Sequence, residues 1–408
     1  MKEKKKLSLA TKTFIGFGLG IVIGLIFGER ASVIKPLGTI FLNMIKMLVV
    51  PMVFCSITAG VSSLSDIKKL RNIGVKVLVI YAVTSAISTV IGLVMATVIS
   101  PGKGFDMNAL EAVEYEQQAM PSVIDTVVNM FPTNVIQAFA EGNMLQIIVF
   151  AIFLGIALIL MGEPGRKMTD AIQTVANAMY TITGIVMEFS PIGVCALLAD
   201  SVGSYGLKVF GPLGKLILTV YASDVVLILV MYIPMLIFLA RFPLGKFFRG
   251  ILPLWAVTFS TTSSAGSLPL TTSITNNDFG VSPELSAFSL PLGATINMNG
   301  GCIYYAAAIV LTAQIYGMTL TPGALLTIIF TTVLVAMGCP GVPGGAIIMT
   351  TILLTNMGLP LEIVGLIAGI FRIIDMADTT FNVTGDVIST LCVARFEKLF
   401  AREPKAAA

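Results

Sequence analysis

The chain has 408 residues, 56% of them hydrophobic and 12% charged, with a net charge of +3 and a mean hydropathy of +0.94. Soluble domains carry about 25% charged residues, so a chain this long and this apolar must place segments in lipid rather than close one water-soluble core. It has no histidine, and its five cysteines (Cys55, Cys195, Cys302, Cys339, Cys392) form no CxxC pair, which removes most zinc, haem and Cys/His nucleophile chemistry.

In chain order, the amino terminus reads MKEKKK and then Leu7 to Ala10, with no small-residue cleavage site, so no cleavable signal is expected. Six apolar segments follow: Phe14 to Phe27, Ile34 to Val61, Val75 to Ile99, Val135 to Met161, Ala171 to Leu198, and Leu213 to Leu239. Most reach the about 20 residues a membrane helix needs, and the longer ones predict tilt.

Loop charge orients them. Lys2, Lys4, Lys5 and Lys6 precede the first segment, and Lys68, Lys69, Arg71 and Lys76 follow the second. Arg166 and Lys167 follow the fourth, and Arg241, Lys246 and Arg249 the sixth. If each segment spans once, all lie on one side, which the positive-inside rule makes cytoplasmic. The loop from Gly102 to Met120 falls opposite and carries Asp106, Glu111, Glu114 and Glu116 against Lys103.

Beyond Arg249 the pattern changes. Leu252 to Leu270 has apolar ends around a polar centre running from Ser260 to Ser267. Free backbone at membrane depth is tolerated inside protein or beside water, so a re-entrant hairpin is predicted with its tip at Ser263 to Gly266. The bland alternative is one helix with a serine-rich face. A helix from Ala287 to Leu311 carries Asn297-Met298-Asn299-Gly300-Gly301 near its middle. Ala324 to Asn356 then repeats the broken form, with two prolines and four glycines in the eight residues from Gly338 to Gly345, which exclude a regular helix there. The last helix, Ile363 to Phe396, holds Asn382-Val383-Thr384-Gly385-Asp386. A broken segment followed by a polar-centred helix thus occurs twice, the pattern of a transporter site near the bilayer midplane.

The last helix also carries Arg372, Asp375 and Asp378. A charge at a helix centre costs about 2.5–3.5 kcal/mol on insertion scales. At about 100° per residue, Asp375, Thr379, Asn382 and Asp386 share an arc of about 60°, flanked by Arg372 and Asp378. One arginine against three aspartates makes a cavity that favours cations. Sodium takes carboxylate, amide and backbone carbonyl oxygens, which broken helices supply, and Asn297, Asn382 and Asp386 offer the side-chain oxygens. The alternative for Asp386 is a helix-end charge near the cytoplasm.

The motifs SSAGSLP, NMNGG, GVPGG and DMADTTFNVTGD stand in one order along the chain, and in that order the chain resembles the glutamate transporter family of dicarboxylate/amino-acid:cation symporters over nearly its whole length. The resemblance implies an all-α integral membrane protein of eight transmembrane helices plus two re-entrant hairpins with inverted repeats. It also implies a homotrimer in the prokaryotic inner membrane, multi-pass, with both termini cytoplasmic. A scaffold (10–65 and 130–205) would hold a moving, elevator-type transport domain (75–100 and 210–400). The hairpins would span 250–275 and 322–357, the second forming the extracellular gate.

Residue by residue, the resemblance implies that Asp375 binds the substrate amine and that Asn382 lines the pocket, with Thr379 beside them. Ser263 and Ser264, with Val342, Pro343 and Gly344, would hold the α-carboxylate through backbone N–H groups and helix ends. It implies one to three sodium ions. One site would use Gly293, Asn297, Asn382 and Asp386. A second would use Thr295 with carbonyls around Ala336, Met337 and Cys339. A third would use Tyr81, Thr84, Ser85, Asn297 and Asn299.

Two departures bear on the substrate and two on the sodium sites. Asp378 stands where acidic-substrate members carry an arginine, and Gly301 where they carry a threonine. Asn299 replaces an aspartate of the third sodium site and weakens it, and Cys339 replaces a threonine near the second. Arg372 either binds a substrate carboxylate or forms a structural ion pair with Asp375 or Asp378; the ion pair is the favoured reading. The first hairpin has Thr262 where some members keep an arginine, so Arg372 is placed to replace it.

These readings predict a sodium-coupled symporter of small neutral amino acids such as serine, threonine or alanine. Transport of cationic or acidic amino acids is the alternative, with an ion channel a weaker one because broken hairpins also build filters. No nucleophile–base constellation is visible, so no enzyme is expected. The basic loops orient the chain in lipid, and nothing points to nucleic acid.

Overall fold

The computed structural model describes residues 9–62, 71–103, 123–206, 210–339, 341 and 343–401. Lys2 to Lys6, Lys68, Lys69, nearly all of the acidic loop and Val342 lie outside them.

The described residues are helical nearly throughout, and the sequence explains where each helix stops. The first apolar run is α1 (Leu9–Phe27), followed by a 3-10 stretch (Gly28–Ile34) and α2 (Lys35–Ser62). In α1, Gly16, Gly20 and Gly24 form one small-residue face, and a Cβ on Gly20 would lie 2.6 Å from the Cys195 carbonyl oxygen. That face lets α1 lie close on a later helix, as small residues four apart do in membranes. Next come α3 (Arg71–Ile99) and the short α4 (Val123–Asn129).

Two expected spans are divided. The Val135–Met161 segment becomes α5 (Val135–Glu141) and α6 (Met144–Leu160). Gly142 takes a left-handed φ of 69° and the Asn143 side chain caps α6 by accepting from the Gln146 amide, a stop and restart by Gly and Asn. The Ala171–Leu198 segment becomes α7 (Glu163–Glu188) and α8 (Ser190–Tyr205), bent by 55°. Pro191 opens the second helix, where its missing N–H costs nothing.

The sixth segment is α9 (Phe210–Leu227), which runs on into two π turns, Ile228–Tyr232 and Met235–Leu239, around Pro234. The polar-centred segment is α10 (Leu244–Thr261) and α11 (Ser264–Ser273), separated at Thr262, which has a φ of 51°. The expected Ala287–Leu311 helix is likewise two, α12 (Pro283–Ile296) and α13 (Asn299–Ile315). Asn297 leaves the helical region at φ −98°, ψ 91°. The second broken segment is α14 (Pro322–Ala336) and α15 (Gly345–Asn356), and the chain closes with α16 (Glu362–Glu397), 36 unbroken residues.

Among the described residues, four helices are long and apolar enough to cross a membrane, or five if α7 and α8 make one bent span. The arms α14 and α15 are apolar but short, as the Gly/Pro break predicts. Helix α2 packs on α6, α7 and α8, and α1 packs on α8. Helices α3, α9, α10, α12 and α13 gather around α16, on which α8 also packs, and α3 packs tightly on α13. Nearly every side chain from Ile363 to Ala394 is buried, so α16 is the axis of that second group.

Candidate functional site

The polar stripe of α16 faces the three helix breaks. Asp375, Asp378, Thr379, Asn382 and Asp386 are all buried. Thr262, Ser264, Gly301, Cys339, Gly341, Asp375, Asp378, Thr379 and Asn382 line one cavity of about 20 Å³. That volume holds about one water, so an amino acid enters only if part of its wall moves.

The wall opposite α16 is made of two touching loop tips. Ser263 caps α11 by accepting the Gly266 amide at 3.0 Å and donates its hydroxyl to the Gly341 carbonyl at 3.0 Å. The Ala265 amide donates to the same carbonyl at 3.0 Å. Gly341 must be small, because a Cβ there would lie 2.3 Å from the Ala294 carbonyl oxygen. Gly344 opens α15 at φ 81° and donates its amide to Asp375 Oδ2 at 3.2 Å, while Thr379 donates to Asp375 Oδ1 at 3.4 Å. Pro343 is half-buried beside them.

Arg372 does not make the expected ion pair with Asp375 or Asp378 among the described residues. It donates instead to the Thr262 hydroxyl, and at 3.2 Å to the Ser260 carbonyl. The left-handed turn at Thr262 points these acceptors at α16 and takes the guanidinium. Asn382 also differs from a free ligand. Its Oδ1 accepts the Gly300 amide at 2.8 Å and the Gly301 amide at 3.3 Å, so it caps α13, where amides lack helical partners. A Cβ on Gly301 would meet Met298 and Tyr305 at 3.4 Å or more, ordinary contact distances.

One turn deeper, a second cluster forms where α12 stops. Asn297 Nδ2 donates to Asp386 Oδ1 at 2.8 Å, and Asn297 Oδ1 accepts from Thr84 at 3.3 Å. Tyr81 donates to the Ser289 carbonyl at 2.9 Å. A Cβ on Gly293 would lie 2.5 Å from Asp386 Oδ1 and 2.7 Å from Tyr81 Oη, so only glycine lets α12 approach. Ser85 and Asn299 are buried nearby on α3 and α13. Asn299 Nδ2 donates to Tyr232 Oη at 3.1 Å, and its Oδ1 has no hydrogen-bond partner among the described residues. This cluster of carboxylate, amide and hydroxyl oxygens suits a hard cation.

The remaining predicted ligands are dispersed. Ala336 and Cys339 are buried at the end of α14, where Cys339 Sγ accepts from Tyr305 at 3.3 Å, and Met337 is half-buried. Thr295 is half-buried and bonds its own helix at the Leu292 carbonyl, 2.9 Å away. It lines a separate crevice of about 550 Å³ between α2, α7, α11 and α12.

One residue escaped the sequence reading. Asp224, 1% exposed in α9, has neither carboxylate oxygen hydrogen-bonded among the described residues, and the same holds for Asp378, 2% exposed. Tyr221 donates to the Ile373 carbonyl at 2.8 Å and Tyr232 to the Phe381 carbonyl at 2.6 Å. These tethers fix α9 against α16 on either side of the two aspartates. The signal was a lone acid midway along an apolar span. At the far side of α16, Trp255 Nε1 donates to Thr384 Oγ1 at 2.8 Å.

The sequence is similar to those of known membrane transporters. A proton/sodium-glutamate symport protein of Geobacillus stearothermophilus is 33% identical over 98% of this chain and 97% of its own. A proton/glutamate-aspartate symporter of Bacillus subtilis is 31% identical over 98% and 97%. A C4-dicarboxylate transport protein of Bacillus subtilis is 30% identical over 94% and 92%. The sequence model of the sodium:dicarboxylate symporter family matches residues 9–396. The chain therefore belongs to the sodium:dicarboxylate symporter family, whose members are membrane transporters and not enzymes.

Proposed function

We propose that this symporter carries a small neutral amino acid, of the serine, threonine or alanine class, together with sodium. The observation that carries the reading is the charge of the cavity. Asp375 and Asp378 both line it, whereas Arg372 is absent from its lining and is turned to the Thr262 hydroxyl and the Ser260 carbonyl. A substrate amine has Asp375 to pair with, whereas a side-chain carboxylate would meet unpartnered Asp378 in a low-dielectric site where like charges cost several kcal/mol. A hydroxyl, by contrast, would satisfy Asp378 as a donor. The α-carboxylate would take amide and hydroxyl donors of the two tips at Ser263, Ser264 and Gly344, with Pro343 shaping the second tip without donating.

Sodium would sit first at Gly293, Asn297 and Asp386, where oxygens already converge. The buried, unpartnered Asn299 Oδ1 supports a further, weaker site with Tyr81, Thr84 and Ser85. Asn382 is the least suited of the proposed ligands because its oxygen is committed to α13. Alternating access by an elevator is supported by the two packing groups, one around α2 and one around α16. The second group would be the moving part, in a homotrimer with both termini cytoplasmic. The touching tips at Ser263 and Gly341 would have to part for substrate to enter.

The relatives named for glutamate, aspartate or C4-dicarboxylates make acidic substrates the second reading. Competition decides. In proteoliposomes with an inward sodium gradient, labelled serine uptake should be displaced by excess serine, threonine and alanine, and not by aspartate, succinate or lysine. Displacement by aspartate or succinate at similar concentrations would sink the neutral-substrate reading, and lysine competition would favour a cationic one.

A further inference from the structure

A cavity of about 450 Å³ opens between the last π turn of α9 and the end of α16. We propose that it binds the phosphate of an anionic phospholipid headgroup. Its lining divides by chemistry. Phe238 and Leu239 are the last residues of the apolar span Gly211–Leu239. With Phe396 they present an outward apolar edge, Phe238 being 71% and Phe396 49% exposed. Arg241, Arg395 and Lys398 supply the polar floor, and no carboxylate lines the cavity.

The three cations are not equivalent. Arg395 is engaged in the fold, donating to the Ala240 carbonyl at 3.0 Å and stacking on Phe400. Arg241 and Lys398 have no side-chain hydrogen bond or ion pair among the described residues. Each also occupies a left-handed backbone position, at φ 48° and 56°, where glycine would be unstrained. The nearest acid in sequence, Glu397, pairs with Lys76 on α3. Two unpaired cations therefore stand at the depth where an apolar span ends, beside exposed aromatic rings. Phospholipid phosphates lie at that depth with their acyl chains on the apolar side, and basic pockets between membrane helices suit them. The apolar edge distinguishes a lipid from a free anion, which would gain nothing from it.

The test uses the purified full-length protein in a neutral detergent, titrated with short-chain phosphatidylglycerol, with phosphatidylcholine of the same chain length, and with inorganic phosphate. Thermal unfolding and native mass spectrometry give two readouts. Phosphatidylglycerol should raise the melting temperature and remain bound, and the other two should do neither. Arg241→Gln and Lys398→Gln should each weaken phosphatidylglycerol binding about fivefold, as expected for one cation near a headgroup. Lys167→Gln, a charge lost elsewhere, should leave it unchanged. Equal retention of phosphatidylcholine, or full phosphatidylglycerol binding in the double variant, would overturn the proposal. Equal stabilisation by inorganic phosphate would overturn the lipid assignment. Should the double variant fail to fold, the wild-type preference between the two lipids still decides.

Discussion

Asn297 and Asp386, 89 residues apart in sequence, meet at 2.8 Å where α12 breaks. The amide donates to one carboxylate oxygen, Asp386 Oδ1, across the break. The bond couples the broken helix to α16, so the proposed ion site and the proposed substrate cavity share one rigid element.

Replacing Asp386 with Asn should therefore weaken sodium binding without dispersing the cavity. A hydrogen bond to a charged group contributes about 1.5–3 kcal/mol, which corresponds to roughly 10- to 100-fold in affinity. The sodium concentration for half-maximal serine uptake should rise by that factor. An unchanged sodium dependence would remove Asp386 from the ion site.

The charge of the cavity predicts a specificity exchange. Asp378→Arg should abolish serine uptake, and adding Gly301→Thr should let aspartate bind. A Cβ at Gly301 would make ordinary contacts of 3.4 Å or more with Met298 and Tyr305. Isothermal titration with serine and aspartate measures both. Retained serine binding in Asp378→Arg would show that Asp378 does not face the substrate.

The seating of the second tip on α12 and on the first tip rests on Gly341, whose added Cβ would also come within 3.3 Å of Ser264 and Ala265. A Cβ there would intrude to 2.3 Å on the Ala294 carbonyl. Gly341→Ala should leave the protein folded, lower its melting temperature by a few degrees, and cut uptake by at least tenfold. Wild-type uptake in this variant would mean that the tips need not close against one another.

Asp224 offers a stability test. A buried polar group left unsatisfied costs about 1–3 kcal/mol or more, and Asp224 has no partner among the described residues. Asp224→Leu should raise the melting temperature of the purified protein. A fall would mean that the carboxyl is satisfied by something bound during purification, such as a proton or an ion.

Much of the site was legible because its signals are local. Gly338 to Gly345 forbids a helix wherever it lies, and the spacing of Asp375, Thr379, Asn382 and Asp386 fixes a face on any helix. Other features depend on partners far along the chain. The turn of Arg372 toward Thr262 spans 110 residues, and the capping of α13 by Asn382 spans 82. Neither has a sequence pattern, so an ion pair and a free ligand were the simpler expectations. The 55° bend before Pro191 was legible in principle. The apolar run on both sides of the proline hid it, since hydropathy continues through a change of direction.

Trp255 is the chain's sole tryptophan, and it donates to Thr384, two residues from both Asn382 and Asp386. Its indole is thus a native optical probe of how α10 sits on the back of α16, opposite the polar stripe. Intrinsic fluorescence of the unlabelled protein will report ion or substrate occupancy as a change in intensity or emission maximum, with no dye, engineered cysteine or radiolabel.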